Sequence, residues 1–232
     1  MNTDKFTGRA QAYAEARPGY PDEAIKYIGE FIKPDVVFAD IGAGTGKFTE
    51  LIARCGHKVF AVEPNADMRE QLYVTLTPFP NAKIVDGTAE TTTLPDGSVD
   101  VITCAQALGW FDLNAFRAEC RRIGKPGVIV VSLYNYMPGD DSIPNSNRLT
   151  SKQATDIFFK NPAFQEFSNT IYYTRGRYLR HWASISENPR PFDTEYNARI
   201  AEANAVFDRE SVDGLVRCDM VTKVFIERID TE

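Results

Sequence analysis

The sequence predicts an α/β fold built on a doubly wound, mostly parallel sheet, and three observations carry that prediction. Short apolar, β-branched runs alternate with helical patterns from Val36 to Tyr136. Those runs are apolar throughout rather than at every second residue, as in strands covered on both faces. A loop with glycine at alternate positions, Gly42, Gly44 and Gly46, joins the first run to the first helical pattern. Right-handed crossovers then put a ligand crevice at the C-terminal ends of the strands.

The elements follow in order. "VVFADI" (Val36 to Ile41) is a buried strand between Pro34 and Gly42, and "GKFTELIARCG" spaces Phe48, Leu51, Ile52 and Cys55 helically before stopping at Gly56. "KVFAVE" (Lys58 to Glu63) is a second strand, and "NADMREQLYVTL" a helix with Asn65 as its N-cap. "AKIVDG" is a third strand; the turn "LPDGS" leads into a fourth, "VDVITCAQA". "LNAFRAECRRIG" is an amphipathic helix and "GVIVVSLYNY" a fifth strand. Residues 137–151, rich in Pro, Asn, Ser and Asp, read as a loop. Beyond it lies a stretch dense in aromatics, including Phe158, Phe159, Phe164, Phe167, Tyr172, Tyr173, Tyr178 and Trp182. These either pack an added subdomain or line a lid over a pocket, because pockets are lined by such side chains. "DTEYNARIAEANAVFDR" is a helix and "CDMVTKVFIERI" a closing strand. The expected organisation is an arm over 1–34, a core over 35–136, an inserted lid over 137–195, and a helix and strand over 196–232 that complete the core.

Bulk properties narrow the function. The 232 residues suit one α/β domain with an insertion, and 43% hydrophobic residues can build a sizeable core. A net charge of −6 argues against a nucleic-acid partner, which needs a basic surface. Cys55, Cys104, Cys120 and Cys218 are scattered without CxxC pairing, so they read as reduced thiols, and no metal is expected. No apolar run is long enough to span a bilayer, and the N-terminal stretch lacks a signal-peptide core; a cytoplasmic protein without a membrane partner is the expectation.

Counting residues around the glycines discriminates among ligands. A phosphate-cradling P-loop needs its first glycine at position 41 and a hydroxyl after Lys47, but Ile41 and Phe48 stand there. The dinucleotide pattern GxGxxG is shortened to GxGxG, although Glu63 ends the second strand 17 positions past Gly46 and suits ribose hydroxyls. A ribose without a fitted pyrophosphate is therefore expected.

"DIGAGTGKFT" resembles the first motif of class I S-adenosylmethionine-dependent methyltransferases, and further stretches resemble the type-11 family. "VFAVEPN" is similar to its second motif, "DGTAETTTLPDGSVDVITCAQALGWFD" to its third and fourth, and "IGKPGVIVVSL" to the element leading into the fifth strand. "FTGRAQAYAEARPGYP" resembles the family's N-terminal arm, so the likeness covers residues 6 to 135. It implies a Rossmann-like, seven-stranded sheet and S-adenosylmethionine as cofactor. It further implies that Asp40 and the backbone of Gly42 and Gly44 face the methionine part, and that Glu63 accepts from both ribose hydroxyls. Pro64, Asn65 and Met68 would lie near the adenine, Thr88, Ala89 and Glu90 on its other side, and Ala105 and Gln106 by the methyl group.

Methyl transfer is an in-line displacement that positioning and desolvation can drive, so no nucleophile–base pair is required. Many relatives carry a histidine before Trp-Phe; this chain has Gly109, which removes one candidate base. Acceptor contacts are expected from Tyr13, Arg17 and Tyr20 of the arm, from Trp110 and Tyr134, and from Arg177 and His181 of the lid. If Arg17 and Arg177 converge, a carboxylate acceptor is expected, because guanidinium pairs bidentately with carboxylates. A small-molecule acceptor and a monomer or homodimer complete the expectation. A non-catalytic S-adenosylmethionine-binding protein and an NAD-dependent oxidoreductase are the competing readings.

Overall fold

The structure, a computed structural model, describes residues 6–137 and 149–230. Most of the loop read over 137–151 lies outside the described residues. Seven strands form one sheet in the order β3-β2-β1-β4-β5-β7-β6. Strands β1 (Val37–Ile41), β2 (Lys58–Val62), β3 (Ala82–Val85), β4 (Val99–Ala105) and β5 (Gly124–Tyr136) are parallel, as their unbroken apolar character predicts. β7 (Leu215–Arg228) runs antiparallel to β5, and β6 (Ala163–Thr174) antiparallel to β7.

Helices cover both faces. On one, α2 (Asp22–Gly29) and α3 (Lys47–Arg54) bury Ile28, Phe48 and Ile52 against Phe38, Val101 and Val131. On the other, α5 (Leu113–Ile123) and α6 (Ser151–Phe158) bury Phe116, Cys120 and Phe158 against Ile41, Ile102 and Val130. Neighbouring strand residues Phe38 and Ala39 serve opposite clusters, as the two-residue repeat of a strand requires. α4 (Ala66–Leu76) starts where the sequence places its cap, since Asn65 Oδ1 accepts from the Met68 amide at 3.0 Å.

Two boundaries move for stated reasons. The fourth strand stops at Ala105 because Gln106 turns to a φ of 61°. The third stops at Val85, and Gly87 then packs so tightly on Thr92 that a Cβ would lie 2.7 Å from its carbonyl oxygen.

The stretch predicted as an inserted lid is part sheet. Its β6 is the edge strand, paired along its whole length with β7. Phe158 and Phe159 belong to the main core, and Tyr173 and Tyr178 pack on Phe207 of α8 (Tyr196–Glu210). None of the eight aromatics lines the clefts described below. Phe158, Phe159, Tyr173 and Tyr178 serve packing, while Phe164 and Tyr172 are exposed. What covers the strand ends is α1 (Ala10–Ala16) of the arm, laid beside α7 (Arg175–Ala183).

Candidate active site

The glycine loop sits where β1 ends. The amides of Gly42 and Ala43 both donate to the Val62 carbonyl, at 2.9 and 3.0 Å, which pins the loop to β2. Gly42, Gly44 and Gly46 have φ of 69°, 57° and 88°, a region that strains any residue with a Cβ. At Gly42 a Cβ would also meet Ala107 at 2.9 Å, so the glycine is needed for close approach and not only for its turn.

Glu63 ends β2 with its carboxylate 7% exposed. One oxygen accepts from the Gly44 amide and the other from the Asn65 amide, each at 2.8 Å. Burial raises its pKa, and the two amides oppose that rise. Each oxygen keeps a lone pair for a ligand hydroxyl. Arg69 donates to the Glu63 carbonyl at 2.8 Å, which ties the strand end to α4.

Asp40 lies beneath the loop, 1% exposed, and accepts from the Thr49 and Thr103 hydroxyls at 2.6 and 2.7 Å. Among the described residues it has no ion pair, and burial pushes its pKa up to about 6. Asp40 does not line the clefts, in contrast to the direct role the resemblance implies.

Two adjoining clefts open over the loop. The first, about 560 Å³, is lined by Gly42, Gly44, Glu63, Pro64, Asn65 and Met68 on the β1–β2 side. Ala105, Gln106 and Trp110 close it from β4, and Phe6 and Tyr13 from the arm. The second, about 420 Å³, is bounded by Tyr13, Arg17 and Tyr20 of the arm and by Lys47 of α3. The clefts share Gly42, Gly44, Ala105 and Gln106 as a floor and Tyr13 as a roof. Gln106 holds a left-handed φ of 61°, a strained conformation outside glycine.

The sequence-derived residues thus divide. Eight of the cofactor candidates line the first cleft, and Tyr13, Arg17, Tyr20 and Trp110 line one or both clefts. Thr88, Ala89 and Glu90 do not: Ala89 is core, Thr88 closes a turn with Thr91, and Glu90 accepts from the Asp112 amide. Tyr134 is buried against Phe225, rings stacked at 5.9 Å, away from the clefts.

Arg17 lines the second cleft, whereas Arg177 lines neither and lies over the Tyr173 ring. Both depress His181, whose pKa burial and these two cations push down to about 3. His181 lines neither cleft. Burial and Arg177 also lower the pKa of Lys47. None of Arg17, Arg177 and Lys47 has a carboxylate partner among the described residues. Tyr173, with Arg177 over its ring at 5.0 Å, buries a hydroxyl with no hydrogen-bond partner among them. Lys47 and Phe6 were missed in the sequence. Their signals were weak: Lys47 directly follows the third glycine, and Phe6 opens the arm motif.

Similarity to known proteins agrees with this geometry. Residues 39–132 match the model of a methyltransferase domain family. An uncharacterized methyltransferase of Mycobacterium tuberculosis is 38% identical over 122 residues, 53% of this chain and 48% of that protein. A Dictyostelium discoideum protein named as a methyltransferase is 35% identical over 147 residues, 62% of this chain and 52% of that one. The chain thus spans about half the length of the curated relatives it matches. A solved structure described as a type II methyltransferase, from Anaeromyxobacter dehalogenans, superposes with a TM-score of 0.69 at 22% identity, covering 93% of this chain and 98% of that one. The match to the methyltransferase domain model covers residues 39–132, the superposed structure shares the fold, and the cofactor that the sequence resemblance implies is S-adenosylmethionine. The residues present fit that cofactor. Glycines allow close approach without a phosphate cradle, and Glu63 suits a ribose diol.

Proposed function

We propose that this protein transfers a methyl group from S-adenosylmethionine to an oxygen of a small-molecule carboxylate. The observation that carries the acceptor class is the pair of cations on the second cleft, Arg17 and Lys47, neither with a carboxylate partner among the described residues. Cations gathered at a half-buried site repel one another and stay uncompensated unless an anion enters. Among the described residues Arg17 bonds through Nε and Nη2 and Lys47 to the Ala14 carbonyl, which leaves donors for a ligand.

The cofactor supplies an electrophilic methyl on a sulfonium. The chain's part is to seat the donor on Glu63 and the glycine loop and to orient the acceptor from the neighbouring cleft. It also keeps water out with Phe6, Tyr13 and Trp110. A carboxylate oxygen carries no proton, so no base is needed. Cation and anion meet to give a neutral thioether and a neutral ester, which balances charge and is favoured by desolvation. Gly109 fits the same reading. A Cβ there would stand 2.5 Å from the Leu149 carbonyl oxygen, so the position packs the start of α6 and has no room for an imidazole.

The donor half is tested by thermal melts. S-adenosylhomocysteine is expected to raise Tm by several degrees, with NADH inert; stabilisation by NADH alone would replace this reading with a dehydrogenase.

A further inference from the structure

α1 has seven residues and no side-chain cap, and a helix so short has no stability of its own in water. Yet it roofs both clefts: Phe6 just before it lines the first, Arg17 just after it lines the second, and Tyr13 lines both. Something else must hold it. Arg9 is 6% exposed and touches neither cleft. Its Nη1 donates to the carbonyls of Ala183 at 2.7 Å and Ile185 at 2.9 Å, and its Nη2 to that of Asn188. These carbonyls lie at and beyond the C-terminal end of α7, where a cation also meets the negative end of the helix dipole. Ser184, between them, receives Arg17 Nε at 2.9 Å on its hydroxyl. The two arginines that flank α1 thus clamp it to one turn of chain. At the opposite edge the arm is held more lightly. The Gly8 amide donates to Asp67 at 2.7 Å and Asn65 Nδ2 to the Thr7 hydroxyl at 3.1 Å, both at the start of α4.

We propose that Arg9 is a positioning residue: its clasp on residues 183–188 holds the arm across both clefts, so donor exchange requires the clasp to open. The role acts through Phe6 and Tyr13, three and four residues from Arg9 and packed edge-to-face at 6.2 Å, with Phe6 against Trp110 at 5.4 Å. It rests on the cofactor assignment and not on the acceptor.

The test is the dissociation rate of S-adenosylhomocysteine from the full chain, followed by stopped-flow tryptophan fluorescence, with amide hydrogen exchange of ligand-free protein alongside. Arg9→Ala is expected to speed dissociation at least 10-fold and exchange throughout residues 6–17, with Arg9→Lys intermediate. Asp67→Ala, which frees only the lighter tether and leaves Arg9 in place, is expected to speed dissociation about 2- to 5-fold. Arg9→Lys, which keeps the charge but loses the fork that reaches three carbonyls, carries the test if Arg9→Ala fails to fold, and a dissociation rate unchanged in it would then overturn the role. Dissociation within twofold of wild type in folded Arg9→Ala, or unchanged exchange over 6–17, overturns the role alone. Failure of the wild type to bind S-adenosylhomocysteine overturns the cofactor assignment and this role with it.

Discussion

Glu63 joins the glycine loop to the start of α4 through two amides, and a ligand diol would take its remaining lone pairs. Glu63→Ala is expected to weaken S-adenosylhomocysteine binding by roughly 30- to 100-fold, measured by calorimetry, because charged hydrogen bonds are lost in a buried site. Lys47 tests the other cleft. Lys47→Met is expected to raise the acceptor KM about 10-fold or more while the cofactor Kd stays within twofold; equal losses in both would place Lys47 on the donor. Glu63 and Arg9 show what a sequence discloses. Glu63 was legible because its partners, Gly44 and Asn65, lie within 19 residues and belong to one strand–loop–helix pattern. Arg9 was not, since its partners stand 174 to 179 positions away and are backbone carbonyls, which leave no trace in side-chain identity. Asp40 was legible as buried and acidic, but its turn toward Thr49 and Thr103 depends on which face of β1 the loop leaves.

At the scale of elements, the parallel strands and their helices were readable because burial on both faces forces continuous apolar runs. β6 was not. Its burial is partial and irregular, as befits an edge strand, and its aromatics read equally well as a lid. The edge position is the physical reason: one neighbour, β7, supplies all its pairing. The junction of the 3-10 turn Leu108–Trp110 with α6 is a second place where the backbone decides. Gly109→His is expected to cost about 1–3 kcal/mol in urea unfolding and to add no activity, because the side chain must displace the Leu149 carbonyl. A gain in methyl transfer from that variant would show that position 109 faces the acceptor.

For the whole molecule, two buried groups set opposite pH dependences. Asp40 has a folded pKa raised to about 6, so the folded state holds its proton more tightly than the unfolded. The stability this brings is present at low pH and is lost as pH rises from about 4 to about 6. His181 is depressed to about 3, so the unfolded state binds its proton first, and stability is lost as pH falls below about 6.5. Asp40→Asn should therefore gain stability relative to wild type at pH 7.5 compared with pH 4, by an amount on the order of 3 kcal/mol, read from denaturant melts at both. His181→Asn should soften the loss on the acid side. Among the described residues no helix is long and apolar enough to cross a membrane.

The central claim is the pairing of a sulfonium donor with a carboxylate acceptor across Gln106. It is tested most directly by incubating the protein with methyl-labelled S-adenosylmethionine and a panel of small carboxylic acids, phenols, amines and thiols, and reading the products by mass spectrometry. Labelled methyl esters that release methanol in mild base are expected, formed only from acids and reduced in Lys47→Met at acceptor concentrations below KM. Label appearing on phenols, amines or thiols and on no acid, or bound donor with no transfer to any member, would contradict it.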